Sequence, residues 1–163
     1  MAVTTEILAT YRGPGRVVAR LLSAGQREDR ALAILMAAAV VIFVAQWPAA
    51  ARQAHFDPSV PVDGRLAGPL MSIVFVMPLL AYAIAGISHV LLRAFGGRGS
   101  FWSARIALFW ALLAVSPLML LQGLVAGFVG PGAGLAAIGL LVFAVFLWFW
   151  VAGLRVAEFG GDR

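Results

Sequence analysis

The chain has 163 residues, of which 63% are hydrophobic and only 12% carry a charge. A soluble domain is typically about half apolar and a quarter charged, so the composition excludes a water-soluble fold of this size. The absence of cysteine excludes disulfides, thiolate metal sites and cysteine nucleophiles. The net charge is +5, but the arginines flank apolar runs and form no basic patch, so we expect no nucleic-acid partner.

Residues 1–30 form a first segment in which the sequence predicts two short helices. Thr4 and Thr5 are suitable caps for the first helix, and the Gly-Pro-Gly sequence at 13–15 ends it. Proline suits the first turn of a helix, so the second is expected over residues 14–24. Its apolar residues share one face, which makes it amphipathic: Val17, Val18, Leu21 and Leu22.

Two positions are open for this amphipathic helix. It can lie in the cytoplasmic membrane interface with Val18 in the acyl boundary, or it can pack on the protein's own loops. In the first case the arginines on its polar side would contact anionic lipid headgroups, and these are Arg12, Arg16 and Arg20. The interfacial position is the one that the pattern favours.

Four uninterrupted apolar runs follow, at residues 31–51, 68–92, 106–129 and 134–154. Each has roughly the 20 residues that a helix needs to cross a bilayer, and none contains Asp, Glu, Lys or Arg. We therefore predict an all-α polytopic membrane protein, a bundle of four transmembrane helices preceded by the amphipathic helix. The expected organisation is a cytoplasmic segment at 1–30, a membrane domain at 31–155 and a cytoplasmic tail at 156–163.

The arginines predict the orientation of these spans. Ten of the twelve lie in the two terminal segments and in the connection between spans two and three, and only Arg52 and Arg65 lie on the other side. Positive charge is retained in the cytoplasm, so both termini are expected there. The many Ala, Gly and Arg residues suggest a bacterial source, and hence the cell inner membrane. Pro48 to Ala51 resembles a signal-peptidase site, but the leader before it is long for a signal peptide.

The connections offer no convincing ligand site. The segment 52–67 contains His55, Asp57 and Asp63, but without metal-ligand spacing, so we expect a solvated external loop. The segment 95–100 is Gly-rich and lacks the Lys and Ser/Thr of a phosphate-binding loop, so we expect a flexible cytoplasmic turn. No catalytic residue, cofactor or metal site is expected.

Within the spans, a few residues predict bends and polar contacts. Pro78 and Pro117 should each bend a helix, and Ser116 is placed to bond a carbonyl that Pro117 leaves free. His89 is the one side chain that could titrate near neutrality. A proton relay would need an acid in a span, and no apolar run contains one, so His89 is expected to have a structural role.

Span three also contains a predicted helix-packing site. Gly123 and Gly127 form a GxxxG pair, at which two helices can approach closely. Gln122 is adjacent and can donate a hydrogen bond across the same contact. The partner is expected to be another span of this chain or a second copy.

Residues 91–101 form a span end followed by a basic Gly-rich turn, and Arg105 to Leu108 and Ser116 to Leu118 follow in the next span. In these stretches the sequence resembles the Yip family of Ypt-interacting membrane proteins. Residues 12–16 resemble bacterial members. Membership implies a helical membrane bundle with a cytoplasmic N-terminus. Eukaryotic relatives act in vesicle traffic and contact Rab GTPases, but here the N-terminal region is shorter and there is one span fewer than usual.

These observations favour a non-enzymatic membrane scaffold or accessory subunit. Its partners would be membrane lipids and other membrane protein subunits or a second copy of the chain. A small transporter or channel is the alternative, suggested by Pro78, Pro117 and Gln122, although transport sites normally expose polar groups at the midplane.

Overall fold

The structure, a computed structural model, describes residues 3–160, and every regular element in that range is helical. The elements are α1 Val3–Thr10, α2 Pro14–Ser23, α3 Glu28–Phe56, α4 Val62–Met71, a π-helical turn Ser72–Val76, α5 Met77–Ala94, α6 Phe101–Phe128 and α7 Ala133–Phe159. Helices α3, α6 and α7, and the continuous segment from α4 to α5, are each long and apolar enough to cross a membrane. The predicted four-span helical architecture is therefore confirmed.

The spanning helices are longer than the apolar runs that predicted them. Arginine favours helix, so α3 passes through Arg52 and ends only at Phe56, while α7 passes through Arg155 to Phe159. The predicted loop at 52–67 is consequently wrong in extent, because only residues 57–61 separate α3 from α4. The end of the bundle where α3 begins and α7 ends is called the proximal end below, and the opposite end is the distal end.

Helix α6 is the centre of the bundle, with α3 and α7 packed along it and α5 beside it. Small residues on α6 allow this close packing, since Ala104, Ala107 and Ala114 are all fully buried. At Gly153 of α7, a Cβ would lie 3.2 Å from the Cβ of Ala107. The core is therefore formed by small side chains that bring helix backbones close together.

Two prolines inside the spans are accommodated in different ways. Pro117 has no N–H to donate to the carbonyl of Leu113, and the Ser116 hydroxyl donates to that carbonyl instead, at 2.8 Å, as the sequence predicted. Pro78 follows directly on the π-helical turn, in which the Met77 N–H reaches back to the carbonyl of Ser72. Such a widened turn gives the proline ring room beside the preceding carbonyls.

The N-terminal helices α1 and α2 pack on the bundle. Val18 is only 1% exposed and lies against Gly153 of α7, so the expectation that it enters the acyl boundary is wrong. The Tyr11 hydroxyl donates to the carbonyl of Ala114 at 3.0 Å, and the Trp110 indole donates to the Thr10 hydroxyl at 2.9 Å. The apolar face of α2 therefore packs against α6 and α7 of this chain.

Candidate functional site

A buried pair of ionisable side chains joins α5 to α7 near the proximal end. Nδ1 of His89 lies 2.7 Å from Oε1 of Glu158, and each residue is only 1% exposed. The ring of Phe101, the first residue of α6, lies 4.3 Å from the imidazole, centroid to centroid. An isolated charge in such surroundings would be costly, and the hydrogen bond within the pair offsets that cost.

The Gly-rich turn at 95–100 follows directly from the way α5 ends. Gly96 has φ +91°, the left-handed conformation that glycine adopts without steric cost. The Gly97 N–H donates to the carbonyl of Leu92 at 2.9 Å, and the Gly96 N–H donates to that of Arg93 at 3.1 Å. This is a Schellman motif, which satisfies the last carbonyls of α5 and turns the chain toward α7.

The same turn then closes the end of α7. The Arg98 N–H donates to the backbone carbonyl of Glu158 at 2.8 Å, and the Gly99 N–H donates to its Oε2 at 3.2 Å. The Ser103 hydroxyl donates to the carbonyl of Ala157 at 3.3 Å. The Arg98 N–H and the Ser103 hydroxyl thus satisfy carbonyls that the end of α7 leaves without partners. The expectation of a flexible turn is therefore wrong, because hydrogen bonds to α5 and to α7 hold the turn in place.

Position 99 requires glycine because atoms of α7 lie too close to it for a side chain. A Cβ there would overlap the carbonyl oxygen of Ala157 and lie 2.8 Å from Oε2 of Glu158. Ser100 then starts α6 with a capping box, since its side chain accepts from the Ser103 N–H while the Ser103 hydroxyl accepts from the Ser100 N–H. The turn thus ends one helix, closes a second and begins a third.

The site provides a hydrogen bond between a carboxyl group and an imidazole. The second carboxyl oxygen, Oε2, accepts a further hydrogen bond from the Gly99 N–H. Within residues 3–160, no group of three or more His, Asp or Glu side chains lies close enough to hold a metal ion. The pair is a buried hydrogen bond that joins α5 to α7.

Glu158 is a residue of this site that the hydropathy pattern of the sequence does not reveal. His89 was expected to have no acid partner, and this expectation is wrong because α7 carries the helix past residue 154 to include Glu158. The signal was present in the spacing Gly153, Leu154, Ala157 and Glu158, which places four buried residues on one face of α7. Hydropathy alone places Ala157 and Glu158 in a tail, because the fourth apolar run ends at Leu154.

The GxxxG glycines of α6 face α3. A Cβ on Gly123 would overlap the carbonyl of Ala45, and one on Gly127 would lie 2.5 Å from Cβ of Pro48. Gln122 points elsewhere, since its amide nitrogen would lie 3.1 Å from a Cβ on Gly139 of α7. The glycines and the glutamine therefore belong to two different helix contacts of α6.

The three arginines of the N-terminal segment lie on or beside α2. Arg20 forms an ion pair with Glu6 of α1, with Nη2 and Oε2 2.6 Å apart. Nη2 of Arg16 lies 3.4 Å from the carbonyl of Arg12. The ion pair of Arg20 fastens α1 to α2, so part of the positive charge assigned to lipid is engaged within the protein.

The fold and the site are those of a polytopic helical membrane protein. A short glycine-rich turn forms hydrogen bonds with two of its spans, α5 and α7. A comparison with protein families matched residues 8–163, nearly the whole chain, to the Yip1 domain. The chain therefore belongs to the Yip1 domain family, as the resemblance of its Gly-rich turn and flanking spans had suggested. Searches of curated proteins and of solved structures found no match.

Proposed function

We propose that this Yip1 family protein is a non-enzymatic scaffold or accessory subunit of the cell inner membrane, with both termini in the cytoplasm. The observation that supports this most is the internal use of polar groups at the centre of the bundle. Ser116, Tyr11 and Trp110 all bond to groups of this chain, as described above. A transport path would need such groups turned toward a cargo. The Yip1 family is, in addition, not a known enzyme family.

Partner helices would use the faces that the bundle leaves apolar and exposed. Leu79 of α5 is 72% exposed and Leu140 of α7 is 69% exposed. Association in a bilayer depends on close packing rather than on hydrophobicity, so these faces are open to lipid and to another membrane protein alike. Orientation with the termini inside rests on the ten-to-two arginine distribution.

Photocrosslinking in native membranes tests the scaffold proposal. A photoreactive phenylalanine analogue at Leu79 or Leu140 should give a discrete protein adduct, identified by mass spectrometry. The same analogue at Val40 of α3, which is also exposed, is the matched control for adducts formed by exposure alone. Lipid adducts only, at all three positions, together with solute flux in liposomes reconstituted with the purified protein, would contradict a scaffold and support a transporter.

A further inference from the structure

The distal end of the bundle contains a second feature, a cleft of about 570 Å³ between the end of α3, the turn before α4 and the start of α7. Its walls are apolar where the membrane-spanning helices reach it, at Ala49, Ala126 and Leu135. Its remaining lining includes Arg52 and Arg65, which are the two arginines of the distal side. The cleft therefore combines an apolar wall with both of the arginines that the sequence assigns to this side.

Arg52 is held in place by contacts that leave most of its donors unused. Its Nη1 donates to the carbonyls of Gly127 and Phe128, at 3.2 and 3.3 Å, and so closes the end of α6. The guanidinium carbon lies 4.9 Å from the ring centroid of Phe56. Nε and Nη2 take no part in these bonds, and a guanidinium with a fixed plane presents such donors as a fork.

Arg65 is fixed in a similar way, and its side chain is only 17% exposed. Nε donates to the carbonyl of Val60 at 3.1 Å, and Nη2 donates to the backbone carbonyl and to Oδ2 of Asp57, at 2.7 and 3.0 Å. Nη1 is not used in these bonds. The side chain of Ser59 and that of Arg65 hold the pKa of Asp57 below its ordinary value, so Asp57 is a carboxylate at neutral pH.

The charges of the cleft sum to about one positive unit at neutral pH, from two guanidinium groups and one carboxylate. Its position at the end of the spanning helices is the depth at which lipid phosphates lie. From this arrangement we propose that the cleft binds the phosphate of one anionic phospholipid, with Arg52 and Arg65 donating to the phosphate oxygens and the acyl chains leaving along Ala126 and Leu135. The Nε–Nη2 edge of Arg52 can bind phosphate oxygens in paired hydrogen bonds, and Nη1 of Arg65 can add a third. This geometry gives selectivity over uncharged amphiphiles.

Native mass spectrometry of the detergent-solubilised chain tests this binding. Titration with dioleoyl phosphatidylglycerol should give one saturable adduct, and dioleoylglycerol, which lacks the phosphate, should bind at least about tenfold more weakly. Soluble glycerol phosphate should also bind much more weakly, because it has no chains to contact the apolar wall. Equal binding of glycerol phosphate and the phospholipid would overturn the lipid assignment.

Three variants locate the site. Arg52→Gln with Arg65→Gln should weaken phospholipid binding about tenfold or more. Since Arg52 also closes α6, Ala126→Phe is the second variant, which fills the cleft and leaves both arginines in place. Arg155→Gln removes an exposed arginine of the proximal end and is the matched control. Unchanged binding in both cleft variants, or an equal loss in the control, would overturn the proposal.

Discussion

Oε1 of Glu158 and Nδ1 of His89 form a hydrogen bond of 2.7 Å, although 69 residues separate them in the chain. This contact fastens the last turn of the last span to the second span. Its carboxylate also holds the Gly99 N–H, so one side chain links α5, the Gly-rich turn and α7. Removing Glu158 leaves Nδ1 of His89 buried without its partner, and removing His89 leaves Oε1 of Glu158 buried without its partner.

The first prediction concerns this pair. Glu158→Leu and His89→Leu should each lower the free energy of unfolding by about 3 kcal/mol, since each leaves a buried polar atom of the pair, Nδ1 of His89 or Oε1 of Glu158, without its partner. The double variant should cost less than the sum, and SDS-induced unfolding of the detergent-solubilised protein measures all three. Asp29→Asn, in an exposed ion pair with Arg27, is the control and should leave unfolding unchanged. Strict additivity of the two leucine variants would show that the pair is not coupled.

The second prediction concerns Gly99. Gly99→Ala should destabilise the protein by about 1–3 kcal/mol, because its Cβ would overlap the carbonyl of Ala157 and force the turn away from α7. Gly134→Ala is the matched control, since a Cβ there meets nothing within 4 Å. The control should be neutral or slightly stabilising in the same unfolding measurement. Equal free energies of unfolding for the two variants would mean that the turn can move away from α7 without loss of stability.

The third prediction concerns the contact between α6 and α3. Gly127→Leu should weaken the bundle by on the order of a kcal/mol or more, because its side chain would enter Pro48 of α3. Gln122→Leu, at the separate contact with Gly139, should cost less, about 0.6 kcal/mol. Thermal unfolding in one detergent compares the two variants. A larger loss for Gln122→Leu would place the main helix contact of α6 on α7 instead.

The fourth prediction concerns the N-terminal helices. Tyr11→Phe removes the hydrogen bond to Ala114 and should loosen α1 and α2 from the bundle, so that limited proteolysis of residues 12–27 becomes faster. The hydrogen bond is expected to contribute about 0.6 kcal/mol, an increase of roughly threefold in cleavage rate. Tyr82→Phe keeps a ring that packs edge-on against Phe109 and is the control. Identical cleavage of both variants and the wild type would argue against a role for the Tyr11 hydroxyl in docking.

The fifth prediction concerns topology. A reporter fused after Arg163 should be active only in the cytoplasm, because ten of the twelve arginines lie on the side of the termini. A fusion at Ser59, in the distal turn, is the matched control and should show the opposite behaviour. Alkaline phosphatase activity in the C-terminal fusion would show that the C-terminus lies outside the cytoplasm and would contradict the prediction.

The sequence by itself determined the membrane class, the all-helical fold and the number of spans. These properties depend on local composition, since apolar runs of sufficient length need a bilayer and only helix satisfies their backbone there. The roles of Pro14, Pro117 and Ser116 were also predictable, because each acts on its own turn of helix. The Gly-rich turn was located correctly, but its rigidity depends on α7, which is distant in sequence.

Only the tertiary structure decided which faces meet. Membrane helices are apolar all round, so their sequences carry little of the periodicity that identifies a buried face in soluble proteins. The docking of Val18 on Gly153 and the pairing of His89 with Glu158 depend on how α2, α5 and α7 are arranged around α6. Contacts between residues so far apart in the chain are selected by packing of the whole bundle, which no local pattern encodes.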